Sequence, residues 1–325
     1  MDTRPDTMKN IASYFGINAQ KLQRHYKHQV SGYHQWDQLY HSQEYLIYPD
    51  NITSHLSIDE LSLSKGELYT LVTNKNIGMK NKKSIVAIIN GTQSKVIEEV
   101  LKKISLEKRS IVKEVTMDMA RNMASAVDLC FPQSTKVIDR FHAVKLVMDA
   151  MQHIRISLRW QAIDDENKAV KEAKDQKRKY KPEILSNGDT IKELLARSRY
   201  LLYTLEENWT ANQDKRATIL FEKYPTLQTA YKLTLMFRGF YKSVNKEQAL
   251  KQFIEWKTKV IEAKIEQFNT VVHSLEYHLE NILNFFDNRN TNAESFNSKI
   301  KGFRANLRGV SDVQFFLFRL QKIFA

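Results

Sequence analysis

Residues 111–141 read IVKEVTMDMARNMASAVDLCFPQSTKVIDRF. The run 111–118 is strand-like and closes on Asp118. ARNMASAVDL reads as a helix, TKVIDRF as a second strand closing around Asp139, and a long helix begins at about His142.

Working back from this stretch, SHLSIDEL (54–61), GELYTLVTN (66–74) and KSIVAIIN (83–90) are short runs rich in Val, Ile, Leu and Tyr, parted by turn-forming residues. Three such runs in succession predict an antiparallel meander. SKVIEEVLKKIS (94–105) follows, with Val96, Ile97, Val100, Leu101 and Ile104 at helical spacing. Three strands and then alternating helix and strand is the order of a ribonuclease-H-like mixed sheet, although period by itself fits other α/β arrangements as well. Residues 54–155 are thus expected to hold the first part of a catalytic core. Before them, MKNIASYFGINAQKLQRHYK (8–27) reads as two short helices around Gly16, predicting a small helix-turn-helix-like unit over residues 1–48. Lys21, Arg24 and Lys27 are its candidate DNA contacts, while a plain helical hairpin has the same pattern.

Beyond about residue 155 the strand-like runs stop. Asp164–Thr190 is charge-rich, with Lys-Pro and Asn-Gly as breakers. Amphipathic helical stretches follow at 190–209, 215–224, 227–242 and, in one long run, 246–286. We expect an all-helical insertion over 156–286. AESFNSKIKGFR (293–304) and DVQFFLFRLQKIF (312–324) then read as helices, making 287–325 the C-terminal part of the core.

Bulk properties narrow the partners. Among 325 residues, 50 Lys and Arg oppose 37 Asp and Glu, a net charge of +13 that favours a polyanion. No apolar run approaches the roughly 20 residues of a spanning helix, and MDTRPDTMKN has no apolar leader. Cys130 alone allows neither an internal disulfide nor a zinc cluster. A soluble bacterial protein of the cytoplasm, associated with the nucleoid, is expected.

Three carboxylates draw attention. Asp59 interrupts a β-forming run, Asp118 ends the strand expected beside it, and Glu294 lies near the start of a helix. That helix carries Glu294, Asn297 and Lys301 on one face and Phe296, Ile300 and Phe303 on the other. In-line displacement at a phosphodiester is served by two divalent ions about 4 Å apart, and Mg²⁺ prefers such hard oxygen ligands. Each residue also has an ordinary reading. Asp59 could end a strand, Asp118 could cap a helix beginning at Met119, and Thr291-Asn292-Ala293-Glu294 matches a capping box.

VTMDMARNMASAVDLCFPQSTKVIDRFHAVKLVMDAMQHIR (115–155) resembles the core signature of the ISL-three group of insertion-sequence transposases, with Met-Asp-Met ending a strand and Val-Ile-Asp-Arg-Phe-His ending the next. LSIDELSLSKGELYTLVTN resembles the group's first-aspartate strand, RNTNAESFNSKIKGFR its final-glutamate helix, and RGVSDVQFFLFRL its ending. The resemblance implies DDE chemistry on Asp59, Asp118 and Glu294, with two Mg²⁺ ions (Mn²⁺ able to substitute). It further implies cleavage and strand transfer on double-stranded DNA, the terminal repeats and target, by a homodimer or larger assembly. Glu294-Ser295 stands where the group commonly has Glu-Gly. Longer members carry a cysteine-rich zinc-binding region, and this chain is more similar to the ISAon-one-like subgroup, whose N-terminal region is a separately encoded partner.

Around the triad, Asp139, Arg140, His142 and Asn297 are candidates for a supporting shell, and Phe141 is expected in the core. Lys299, Lys301, Arg304 and Arg308, close to Glu294, are candidate phosphate contacts. Trp160, Trp209 and Trp256 are expected to be core residues. An inactive DNA-binding regulator derived from a transposase, and a nuclease or junction resolvase of the same fold, are the competing functions.

Overall fold

The strand-like runs of the first half close into one mixed sheet. β1 (Tyr45–Ile47), β2 (His55–Ser62), β3 (Leu68–Asn74), β4 (Ile85–Asn90), β5 (Glu114–Met117) and β6 (Thr135–Ile138) lie in the order β1-β4-β3-β2-β5-β6. The computed structural model describes residues 5–62, 68–75, 84–287, 296–307 and 310–325. β2, β3 and β4 form the expected antiparallel meander, β5 runs parallel beside β2, and β6 parallel beside β5. This mixed sheet with its helices is compatible with a ribonuclease-H-like α/β fold, in which the first and fourth core strands are neighbours.

Two units are distinguishable: Met1–Asp139 with Asn288–Ala325, and Arg140–Asp287. In the first, residues with the parity of Leu61 on β2 and of Tyr69 and Leu71 on β3 face a core they share with Leu46, Ile85 and Ile88. Ile300 and Phe303 of α13 (Phe296–Asn306) and the apolar side of α14 (Val313–Phe324) fill the same core. Leu56, Ile58, Val115 and Met117 have the opposite parity and are also buried. They serve the other face, where α3 (Ser94–Leu101) and α5 (Arg121–Cys130) bury Ile97, Val100, Leu101, Met123, Ala126 and Val127. α4 (Leu106–Ser110) is a single turn between α3 and β5.

The N-terminal stretch departs from expectation. It does form two short helices, α1 (Met8–Tyr14) and α2 (Ala19–His25), started by the side chains of Thr7 and Asn18 and turned by Gly16 at φ +64°. Yet residues 5–48 are not separate from the sheet. β1 lies inside that stretch and pairs antiparallel with β4, and Met8, Tyr26, Tyr33 and Trp36 join the core beneath α14. Helices of two turns bury too little apolar surface to stand alone, so they borrow the sheet's core. Three residues of β1 are too few to display an alternation in sequence.

Among the described residues the second unit holds helices and no strand: α6 (Arg140–Asp175), α7 (Ile191–Leu201), α8 (Ala211–Lys223), α9 (Pro225–Phe240), α10 (Lys246–Ala263), α11 (Glu266–Tyr277) and α12 (Leu279–Leu283), with 3-10 turns at Glu206–Asn208 and Asn284–Phe286 and a non-helical stretch over 176–190. Thr190 and Thr210 start α7 and α8 with reciprocal capping boxes, and Pro225 opens α9. Phe237, Phe240, Phe253, Trp256 and Phe268 are its fully buried bulk. The run 246–286, expected as one long helix, breaks at Lys264, which takes a left-handed φ of +52°. No glycine or proline announces that turn. Phe141 and Trp160, expected in the core, are 64% and 59% exposed. Trp256 is buried and donates to the Leu233 carbonyl (3.0 Å), and Trp209 donates to Leu201 (3.2 Å) while stacking on Tyr231.

Candidate active site

Parallel pairing of β2 with β5 brings the two aspartates together. The printed register sets Leu56 beside Val115 and Ser57 beside Thr116; carried on by two residues, it sets Asp59 beside Asp118. Adjacent strands are about 4.8 Å apart, and residues abreast in a parallel pair point to the same face. Asp59 is flanked on its other side by Leu71, whose side chain lies in the core filled by Ile300 and Phe303. The α13 stripe therefore packs on the face that carries Asp59. Glu294, just ahead of α13, lies outside the described residues, as does Thr291 of the candidate capping box.

Both carboxylates are half-buried and oriented by backbone. Asp59 Oδ1 accepts from the Glu60 N–H (2.7 Å), and Asp118 Oδ1 accepts from the Ala120 N–H (2.8 Å). The second bond turns the chain towards α5, but Asp118 is not its cap: the residue at the N-cap is Ala120, whose side chain has no oxygen to offer. A strand that stops on an aspartate at this row thus holds the carboxylate at the sheet's edge with limited rotameric freedom.

β6 extends the row. Met117 pairs with Ile138, and the Asp139 N–H donates to the Met117 carbonyl (2.8 Å), so the next step abreast is Asp118 beside Asp139. Three aspartates therefore lie abreast on three adjacent parallel strands: Asp59 within β2, and Asp118 and Asp139 just past the ends of β5 and β6. Arg140 and His142 follow on α6, in the helical unit, Arg140 exposed and His142 half-buried. Hard carboxylate oxygens in a row suit a hard divalent cation, which offsets the repulsion between like charges at strand spacing. Among the described residues no three His, Cys, Asp or Glu converge as a metal-holding group. The donor set present is compatible with such an ion but needs a further ligand.

The same face of β2 and β5 also carries a buried ion pair that the sequence did not signal. Lys75 Nζ lies 3.4 Å from Glu114 Oε1 and bonds Thr116 Oγ1. Glu114 stands beside His55, four residues from Asp59 along β2, roughly 13 Å at strand rise. The pair fastens the far end of the strands rather than entering the carboxylate row.

The candidate DNA contacts divide. Lys21 and Arg24 are exposed on α2 and line an open concavity with His25, His28 and Gln29. His28 stacks on His34 with ring nitrogens 2.8 Å apart. These histidines escaped the sequence reading because the chain widens after α2 into a π-helical turn, Tyr26–Val30, which the α-helical period does not anticipate. Lys27 instead pairs with Asp312 at the start of α14 (2.5 Å) and lies over the Tyr33 and Phe315 rings. Arg304 donates to the Ser62 carbonyl (2.7 Å), fastening α13 to β2. Lys299 and Lys301 are exposed on α13; Arg308 and the Asn297 side chain lie outside the described residues.

No helix among the described residues is long and apolar enough to cross a membrane. A family model described as a transposase, of the ISL-three DDE type, matches residues 56–320. No curated protein matches the chain.

Proposed function

Because the chain belongs to the ISL-three family of DDE transposases, we propose that it cleaves DNA at insertion-sequence ends and joins those ends to a target. Asp59, Asp118 and Glu294 serve in this reading as the catalytic carboxylates. The observation that carries it is the row: Asp59 within β2 and Asp118 just past the end of β5 lie abreast on adjacent parallel strands, on the face where α13 packs. Glu294 completes the set in this reading by the likeness of RNTNAESFNSKIKGFR to the family's final-glutamate helix.

Divalent Mg²⁺, with Mn²⁺ able to substitute, is the cofactor; bound to these carboxylates it supplies Lewis-acid stabilisation of charge at the phosphate. The chain's own work is to hold three anionic ligands in place. Backbone N–H groups fix two of them, which lowers the entropy lost when the reacting phosphate arrives. Asp139 stands abreast of Asp118 and serves to orient it and the residues that follow on α6. Lys21 and Arg24 on α2, and Lys299 and Lys301 on α13, supply phosphate contacts that position double-stranded DNA. A homodimer or larger assembly, and a separately encoded N-terminal-region protein, complete the complex in which two ends meet.

Asp59→Asn, Asp118→Asn and Glu294→Gln test the assignment, since each removes charge and nearly keeps shape. Cleavage and strand transfer with the element's own terminal repeats should fall to background in all three, and DNA affinity should stay within about twofold, because phosphate contacts by Lys and Arg dominate it. Robust strand transfer by the Glu294→Gln protein refutes the triad. Loss of DNA binding in all three variants would instead point to a structural role.

A further inference from the structure

The helical unit carries positive charge that its own acids do not neutralise. Arg155 on α6 is only 5% exposed, and its guanidinium donates to the Gln152 side chain (2.7 Å) and to the Leu195 carbonyl (2.9 Å) on α7. Both acceptors are neutral. Burial first, then the nearby cations Arg199 and Arg159, pull its pKa below the usual arginine value. A buried cation beside two others is costly to fold unless an anion is near.

Four of the acids on or beside these helices are committed elsewhere, and Asp165, Glu172 and Asp175 lie further along α6. Asp149 pairs with Lys145 (3.2 Å), Glu166 with Lys192 (2.8 Å), and Asp189 and Glu193 with Arg197. Arg159 and Arg199 are exposed, and neither forms an ion pair among the described residues. Asp164, a turn beyond Trp160, bounds the surface at its far end. Beside the arginines lie two rings that water covers. Trp160, 59% exposed, follows Arg159, and Tyr200, 70% exposed, has the Arg199 guanidinium 5.5 Å from its ring centre.

We propose that the α6–α7 surface around Arg159, Trp160, Arg199 and Tyr200 is a nucleic-acid contact of the helical unit, taking a DNA strand with unpaired bases. Guanidinium groups match phosphate oxygens in a fixed fork. An exposed indole offers a stacking platform that any base can use, provided the base is not already stacked in a duplex. A second copy of this chain suits the surface poorly, because it brings the same uncompensated arginines. The proposal rests on the transposase family for the identity of the polyanion.

The test uses the full chain, a labelled oligothymidine strand, a duplex of equal length, and EDTA to exclude cleavage. Trp160→Ala should weaken binding of the strand about 10-fold and leave the duplex within about twofold, while Trp160→Phe keeps most of the affinity. Arg159→Gln with Arg199→Gln should reduce the salt slope for the strand by about 1.4, at about 0.7 per lost phosphate contact. All these positions are exposed, and unchanged urea midpoints would show that the fold survives. Unaltered strand binding by Trp160→Ala overturns the proposal, as does a shift of that variant from dimer to monomer in sedimentation, which would assign the surface to self-association. Asp118→Asn should bind the strand normally even though it is expected to be dead in cleavage, so the two readings fail separately.

Discussion

At the residue scale, the basic side chains are sorted by what each already touches. Lys21 and Arg24 face solvent around an open concavity, whereas Lys27 is spent on Asp312 and two rings. Lys21→Ala and Arg24→Ala should each reduce the salt slope of duplex binding by about 1. Lys27→Ala should leave that slope unchanged and lower stability by less than about 1 kcal/mol, since its ion pair is partly solvated. Equal slopes for all three variants, measured by anisotropy across a salt series, would show that α2 is scaffold. Sequence could place these three lysines and arginines on adjoining turns but could not separate them. The separation comes from a partner 285 residues away, Asp312, which no local pattern reveals.

At the scale of elements, what the sequence displayed was periodicity, and what it concealed was short or unpunctuated structure. The meander, the β5–α5–β6 alternation and α3 all carry enough alternating or helical positions to be read directly. β1 has three residues, and the break at Lys264 has no glycine to mark it. The likeness of Asp59 and Asp118 to family motifs named them, but their placement abreast needs the β2–β5 register. The β5–β6 register then brings in Asp139, which follows the end of β6 on the same row. Asp139→Asn should therefore slow cleavage about 10- to 100-fold without abolishing it, as loss of an orienting partner does. Rates under single-turnover conditions decide this. A complete loss equal to that of Asp118→Asn would make Asp139 a ligand, and no loss would confine it to holding the start of α6.

At the scale of the whole molecule, each unit has its own apolar interior, and each is fastened by its own buried polar groups. In the helical unit the fastener is Asp189, 1% exposed, between Arg216 (3.0 Å) and Arg197. Burial by itself raises its pKa, but hydrogen bonds and charge from Arg216 and Arg197 outweigh this and leave the carboxyl below its usual value. A carboxyl whose folded pKa is depressed adds stability above its unfolded pKa of about 3.9, and that contribution is lost as pH falls further through the folded value. Asp189→Asn should thus cost the helical unit about 1.5–3 kcal/mol at pH 7, since it removes the buried anion that accepts from the part-buried Arg216 and the exposed Arg197. It should also flatten the loss of stability below about pH 4. Hydrogen exchange read segment by segment gives the sharper test. Faster exchange in α7 and α8, which carry Arg197 and Arg216, with β2, β3 and β5 unchanged, is the expected result. Equal acceleration in the sheet would mean that the two interiors unfold as one, and the assignment of Asp189 to a single unit would fall.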